Sequence, residues 1–175
     1  LLNLRTTPDC MPYLLSKKNV DMLTRHKVFT ETELKSRFEI MLENYTKTVG
    51  IEARTMIDIV KKEILPAIEN YAADVSAAAA KKLAVDPTLT CGYEKGLVKQ
   101  LSILTDRIAE KAAELDEAIA KSASISDITE ESCYIRDEIL PRMSELRIPC
   151  DEAETITSAK YWPFPTYGEL LFGVR

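Results

Sequence analysis

Four groups of residues in this 175-residue chain have the side chains that chemistry uses. They are His26, the cysteines at 10, 91, 133 and 150, the acidic run Asp151-Glu152-Ala153-Glu154, and the pair Gly92 and Gly96. An imidazole could act as a base, thiols could bind zinc or cycle as a redox pair, clustered carboxylates could hold a cation, and glycines could cradle a phosphate. Their spacing supports none of these. With one histidine in the chain and cysteines so widely separated, neither a zinc set nor a CxxC pair can be assembled. The thiols read as reduced packing residues, which implies a cytoplasmic protein. His26 lies near the end of a short helix with no visible partner, as a surface or packing histidine does. The acidic run lacks the convergent oxygen ligands of a cation site. There is no GxxxxGK[ST], GxGxxG or HExxH and no nucleophile elbow. The expectation is therefore no catalytic, cofactor-binding or metal-binding residue in this stretch of chain.

The most individual segment is Tyr161-Trp162-Pro163-Phe164-Pro165-Thr166-Tyr167-Gly168-Glu169-Leu170-Leu171-Phe172, which carries the only tryptophan. Its prolines fix φ and remove backbone donors, so Trp162 to Pro165 should run extended. An apolar strip of this kind must be laid on something. It either locks down its own helices or clasps a neighbouring domain or subunit, with Trp162, Phe164, Tyr167 and Phe172 as the anchors. Trp162 is expected to pack with Phe164 or Phe172.

The elements that position these residues are helices. Five glycines are too few for a loop-rich or β-rich fold, and 46% hydrophobic with 29% charged residues is ordinary for a folded domain. A net charge of −5 without a basic block disfavours nucleic acid, and no apolar run approaches the length of a membrane span. Leu1 to Leu4 followed by Arg5 does not read as a signal peptide, and a start other than Met suggests a piece of a longer chain. The architecture expected is all-α: an elongated three-helix bundle with one very long helix. Residues 1–29 form a short helical connecting segment, 30–156 the bundle (helices about 31–85, 94–122 and 127–156), and 157–175 an extended tail.

Thr30 and Glu33 form a capping box, with Phe29 placed as a staple. Glu31–Lys35, Glu33–Arg37, Glu43–Lys47 and Asp58–Lys62 put an acid four residues before a base. The buried stripe of the first long helix is Tyr45, Val49, Ala53, Met56, Val60, Ile64, Ala67, Tyr71, Val75 and Ala78, an 11-residue period. Whether the helix continues through Gly50 stays open, since glycine costs only about 1 kcal/mol there. Glu63-Ile64-Leu65-Pro66 and Glu138-Ile139-Leu140-Pro141 both place proline inside a helix, where it kinks the axis. The first helix, at roughly 80 Å, outruns the second, at roughly 45 Å. The overhang carries Leu34, Phe38, Met41, Leu42 and Tyr45, the last four as interaction residues, which predicts self-association through residues about 31–55.

The wording of the chain adds a resemblance. Leu4-Arg5-Thr6-Thr7-Pro8-Asp9, Met11-Pro12-Tyr13-Leu14, Lys18-Asn19-Val20, Val28-Phe29-Thr30, Glu33 to Ile40, Ile51-Glu52-Ala53 and the final YWPFPTYGELLF resemble the C-terminal region of the type III glutamine synthetases of bacteria. The resemblance runs over essentially the whole chain. It implies a parent enzyme that ligates ammonia to glutamate with ATP and a divalent metal, Mg or Mn, in a double-ringed homo-oligomer. The family's metal, nucleotide and glutamate motifs lie upstream of the matched stretch, so no catalytic residue is transferred. Three functions follow as expectations. The first is a non-catalytic element supporting the catalytic domain of the same chain and neighbouring subunits. The others are a regulatory or active-site-adjacent element of that enzyme, and a stand-alone helical adaptor.

Overall fold

In the computed structural model the chain is described over residues 3–173, except for the side chain of Tyr167. The described residues are helical and loop, with no strand: the fold is all-α. The elements are α1 (Thr7–Leu14), α2 (Lys17–Arg25), α3 (Glu31–Ile59), α4 (Leu65–Val85), α5 (Gly92–Ser122), α6 (Ile128–Tyr134), α7 (Leu140–Ile156) and α8 (Tyr167–Phe172). Single π-helical turns, Val60–Ile64 and Ile135–Ile139, join α3 to α4 and α6 to α7 without a break. Helix therefore runs unbroken through Gly50 from Glu31 to Val85.

Local signals set the ends. The Thr30–Glu33 capping box forms, with Glu33 accepting from the Thr30 N–H at 2.7 Å and donating its own N–H to Thr30 Oγ1 at 3.2 Å. Glu31–Lys35, Glu43–Lys47 and Asp58–Lys62 pair at 2.8–2.9 Å. The Glu33 carboxylate is taken up by the cap and feels Arg37 through its charge, while the Arg37 guanidinium lies 4.5 Å over the Phe29 ring. At the start of α6, Asp127 Oδ1 accepts from the Thr129 and Glu130 N–H groups, each at 2.9 Å. Asp127→Ala is expected to destabilise the fold by about 0.5–2 kcal/mol, and Asp127→Asn by less, measured by urea denaturation.

Both π turns end two residues before a proline, Pro66 and Pro141. A proline inside a helix has no N–H to give and its ring crowds the carbonyl four residues back. Widening that turn relieves the crowding, and in both turns the following leucine N–H reaches the carbonyl five residues back, Leu65 to Val60 and Leu140 to Ile135. Where kinks were expected, the structure has π turns. Each turn buries its first and last residue, Val60 with Ile64 and Ile135 with Ile139.

The chain forms two compact units, one of residues up to 54 with 116–142, the other of 55–115 with 143 onward. In the first, Leu34, Leu42, Val49 and Ala53 of α3, Ile119 of α5, Ile135, Ile139 and Met11 of α1 make the buried apolar set. In the second, Ile57, Val60, Ile64 and Ile68 join Leu97, Leu101, Leu104 and Ile108 of α5 and Leu146, Cys150 and Ala153 of α7. Arg107–Glu152 (3.1 Å) and Lys111–Glu145 (3.2 Å) cross-link α5 and α7 at the surface, as does Lys82–Glu94 between α4 and α5. Of the expected stripe on α3 and α4, Ala78 is exposed.

Candidate interaction sites

The residues with chemical potential are held apart. His26 ends α2, exposed, its backbone N–H bonded to the Met22 carbonyl. The four cysteines are unpaired; Cys10 is exposed, Cys133 half-buried, Cys91 and Cys150 buried. Burial pushes the Cys150 thiol up to about 11, which keeps it protonated and fits it for packing. In the acidic run, Asp151 pairs with Arg147 and Glu152 with Arg107. Among the described residues no group of three or more His, Cys, Asp or Glu side chains is placed to hold a metal ion. No described helix is long and apolar enough to cross a membrane.

The four residues proposed for self-association meet different fates on α3. Leu42 is 1% exposed and belongs to the core of the first unit, whereas Met41 beside it is 49% exposed. Phe38 and Tyr45 are half-buried. The Tyr45 hydroxyl is buried with no hydrogen-bond partner among the described residues, and burial raises its pKa. The apolar side chains that face water on α3 are Ile40, Met41 and Ile51. Periodicity could not separate them from Leu34 and Leu42, because burial there is set by elements distant in sequence, among them α6 and the end of α5, which line a groove with α3.

In the same unit an ion-pair network fastens α1. Asp9 accepts from the Thr6 hydroxyl (2.7 Å) and N–H (3.1 Å), and its second oxygen takes Arg136 Nη1 at 2.8 Å. The remaining edge of Arg136 grips Asp137 through two 2.7 Å bonds. The Thr6 hydroxyl, then its N–H and the guanidinium, hold the Asp9 carboxyl below its ordinary 3.8 despite partial desolvation. A carboxyl depressed in the folded state stabilises fully above its unfolded value and loses that contribution as pH falls through the lower one. Asp9→Asn is therefore expected to lower stability at neutral pH and flatten its decline below about pH 4, followed by circular dichroism during acid titration.

The first unit also contains a groove of about 410 Å³ that sequence reasoning missed. Ile119, Ile128, Ile135 and Ile139 line it, with Glu43, Lys47, Arg54 and Glu131 among the polar lining. Gly50 lies in its wall, where a Cβ would make ordinary contact with the Arg54 guanidinium at 3.6 Å.

In the second unit the tail divides in two. Its first half is held: Tyr161 packs against Tyr71 with the rings tilted by 40° (centroids 5.2 Å apart), donates its hydroxyl to Asp74, and lies beneath Lys160 Nζ at 4.9 Å. Trp162 is half-buried and meets Phe164 edge to face at 6.3 Å; its Nε1 is buried without a partner among the described residues. Residues 162–166 are non-helical, but the stretch beyond is not extended: Tyr167–Phe172 is α8. The overlooked signal was Thr166-x-x-Glu169. Thr166 Oγ1 accepts the Glu169 N–H at 3.3 Å, the Glu169 carboxylate accepts the Thr166 N–H at 2.7 Å, and Gly173 closes the helix at φ 55°. Phe172 is 75% exposed, so Trp162 takes Phe164 as its ring partner; the Tyr167 side chain lies outside the described residues.

Comparison with known proteins gives a consistent assignment. Residues 1–83 match the glutamine synthetase C-terminal domain. The whole chain is 37% identical, over 175 residues, to a glutamine synthetase of Butyrivibrio fibrisolvens, covering 25% of that protein. It is 28% identical to the type-3 glutamine synthetase of Dictyostelium discoideum, with 98% of this chain and 24% of that protein aligned. To a glutamine synthetase of Bacteroides fragilis it is 24% identical, again over 98% of this chain and 24% of the relative. The chain thus spans about a quarter of the length of the relatives it matches.

Proposed function

We propose that this chain, whose residues 1–83 match the glutamine synthetase C-terminal domain, serves as a non-catalytic helical support for the catalytic part of such an enzyme. The observation that carries this reading is its alignment from end to end with a quarter of each relative. On this reading the parent polypeptide ligates ammonia to glutamate, and its ATP and divalent metal are held outside this chain. Partners are the catalytic part of the same polypeptide and neighbouring subunits of a cytoplasmic homo-oligomer. Ile40, Met41 and Ile51, 49–62% exposed on α3, are apolar side chains available for such contacts.

The test compares the complete polypeptide, the same polypeptide lacking this chain, and the chain alone. Glutamine formation and subunit assembly are expected only in the first, and the isolated chain is expected to fold as helix and make no glutamine. Ligase activity in the isolated chain, or undiminished assembly without it, would overturn the reading.

A further inference from the structure

We propose that α8 is a preformed docking helix whose apolar surface seats on the remainder of its own polypeptide. The inference rests on the reading above, that this chain is one region of a longer glutamine synthetase, and it names the segment that makes one of the contacts.

Three observations carry it. First, α8 is fully specified by local bonds. A six-residue helix is well below the length that persists alone in water, yet this one has a reciprocal capping box at one end and a left-handed glycine at the other. Second, its apolar side chains are uncovered. Leu170, Leu171 and Phe172 are 65%, 74% and 75% exposed, and three consecutive helical residues sweep about 200° of the circumference. Turning the helix on its axis against a single neighbour could not hide all three, so the partner must offer a groove rather than a flat face. Third, the residues just before it are anchored. Tyr161 is fastened to Tyr71 and Asp74, and Pro163 and Pro165 stiffen the connection. This arrangement presents the helix instead of folding it back.

The occupant is chosen by chain length. About three quarters of each relative lies outside the stretch that this chain matches. A groove on that remainder, covalently tied to α8, meets it at the high effective concentration of an intramolecular contact. The groove should be apolar enough to take two leucines and a phenylalanine, and should leave Glu169 at its rim, where the cap already holds the carboxylate.

Hydrogen–deuterium exchange over residues 167–173 tests this in the complete polypeptide and in the chain alone. In the chain alone these amides are expected to show only the weak protection of a short capped helix, and in the complete polypeptide to exchange at least about tenfold more slowly. Leu171→Glu and Phe172→Glu should abolish that protection while exchange in α3 and α4 and the subunit assembly stay unchanged. Thr166→Ala keeps the apolar surface but removes a cap, and should reduce protection by about two- to thirtyfold. Equal exchange in both forms overturns the proposal. So does protection that appears only on subunit assembly, or that Leu171→Glu removes by dissociating subunits, since the groove would then belong to another copy. Glutamine formation is scored on the same samples: a complete polypeptide that protects α8 but makes no glutamine sinks the functional reading and leaves the docking contact standing.

Discussion

Leu42→Ala is expected to destabilise the fold by about 2–5 kcal/mol, whereas Met41→Ala, one residue away, should change stability by no more than about 0.5 kcal/mol. Leu42 is 1% exposed in a set that includes Leu34, Ile135 and Ile139, so truncation removes apolar burial and leaves a cavity. Met41 projects from the same turn with half its surface in water and loses little. Urea denaturation of the two variants with coincident helical and tryptophan signals would measure both. Near-equal effects would mean that α3 is rotated from the orientation described. The same pair separates stability from association: Met41→Glu leaves the core intact and reports on contacts between chains, whereas Leu42→Glu would unfold the unit and report nothing about them.

Pro66→Ala is expected to act in the opposite direction, raising stability by about 1–3 kcal/mol. Proline is about 3 kcal/mol worse than alanine in a helix interior, and Pro66 is exposed, so little burial is lost on replacing it. The restored N–H gives the widened turn Val60–Ile64 a donor it lacks and permits four-residue bonding there. Part of the gain is offset if Val60 and Ile64, both buried, must shift as the turn tightens. A rise in melting temperature with slower amide exchange across residues 60–66 is the expected pattern. A fall in stability would show that the π turn is required by the packing and is not merely tolerated because of the proline.

Much of this architecture was legible in advance, for physical reasons that can be named. The Thr30–Glu33 box, the i,i+4 pairs and the end of the first long helix near residue 85 depend on neighbours within one helical turn, and local chemistry decides them. The apolar stripe from Tyr45 to Ala78 averages about 3.67 residues per turn, slightly more than the 3.6 of a straight α-helix. An 11-residue period by itself implies a nearly straight or slightly right-handed helix. The structure contains one π turn at Val60–Ile64, where extra residues per turn are taken up locally. The proline two residues later was the visible clue to its position. By contrast, which residues of α3 are covered depends on α1, α6 and the end of α5, and no pattern within α3 encodes that. The groove beside Gly50 was illegible for the same reason: its lining draws on three separate stretches of sequence. The helix at residues 167–172 was a different kind of miss. Its capping box was present in the sequence, but the two prolines before it dominated the reading.

The anchored half of the tail has a further use. Trp162 is the only tryptophan in the chain, and it lies between the fastened Tyr161 and the projecting α8. Its indole nitrogen is sealed from solvent, with the Phe164 ring against it. The protein therefore has a built-in optical probe at the junction between what is held and what is free. Emission should be blue-shifted while the junction is closed and move to the red if it opens. Peeling of the tail could thus be timed in unlabelled protein, separately from the melting of the helices, which contain no other tryptophan to confuse the signal.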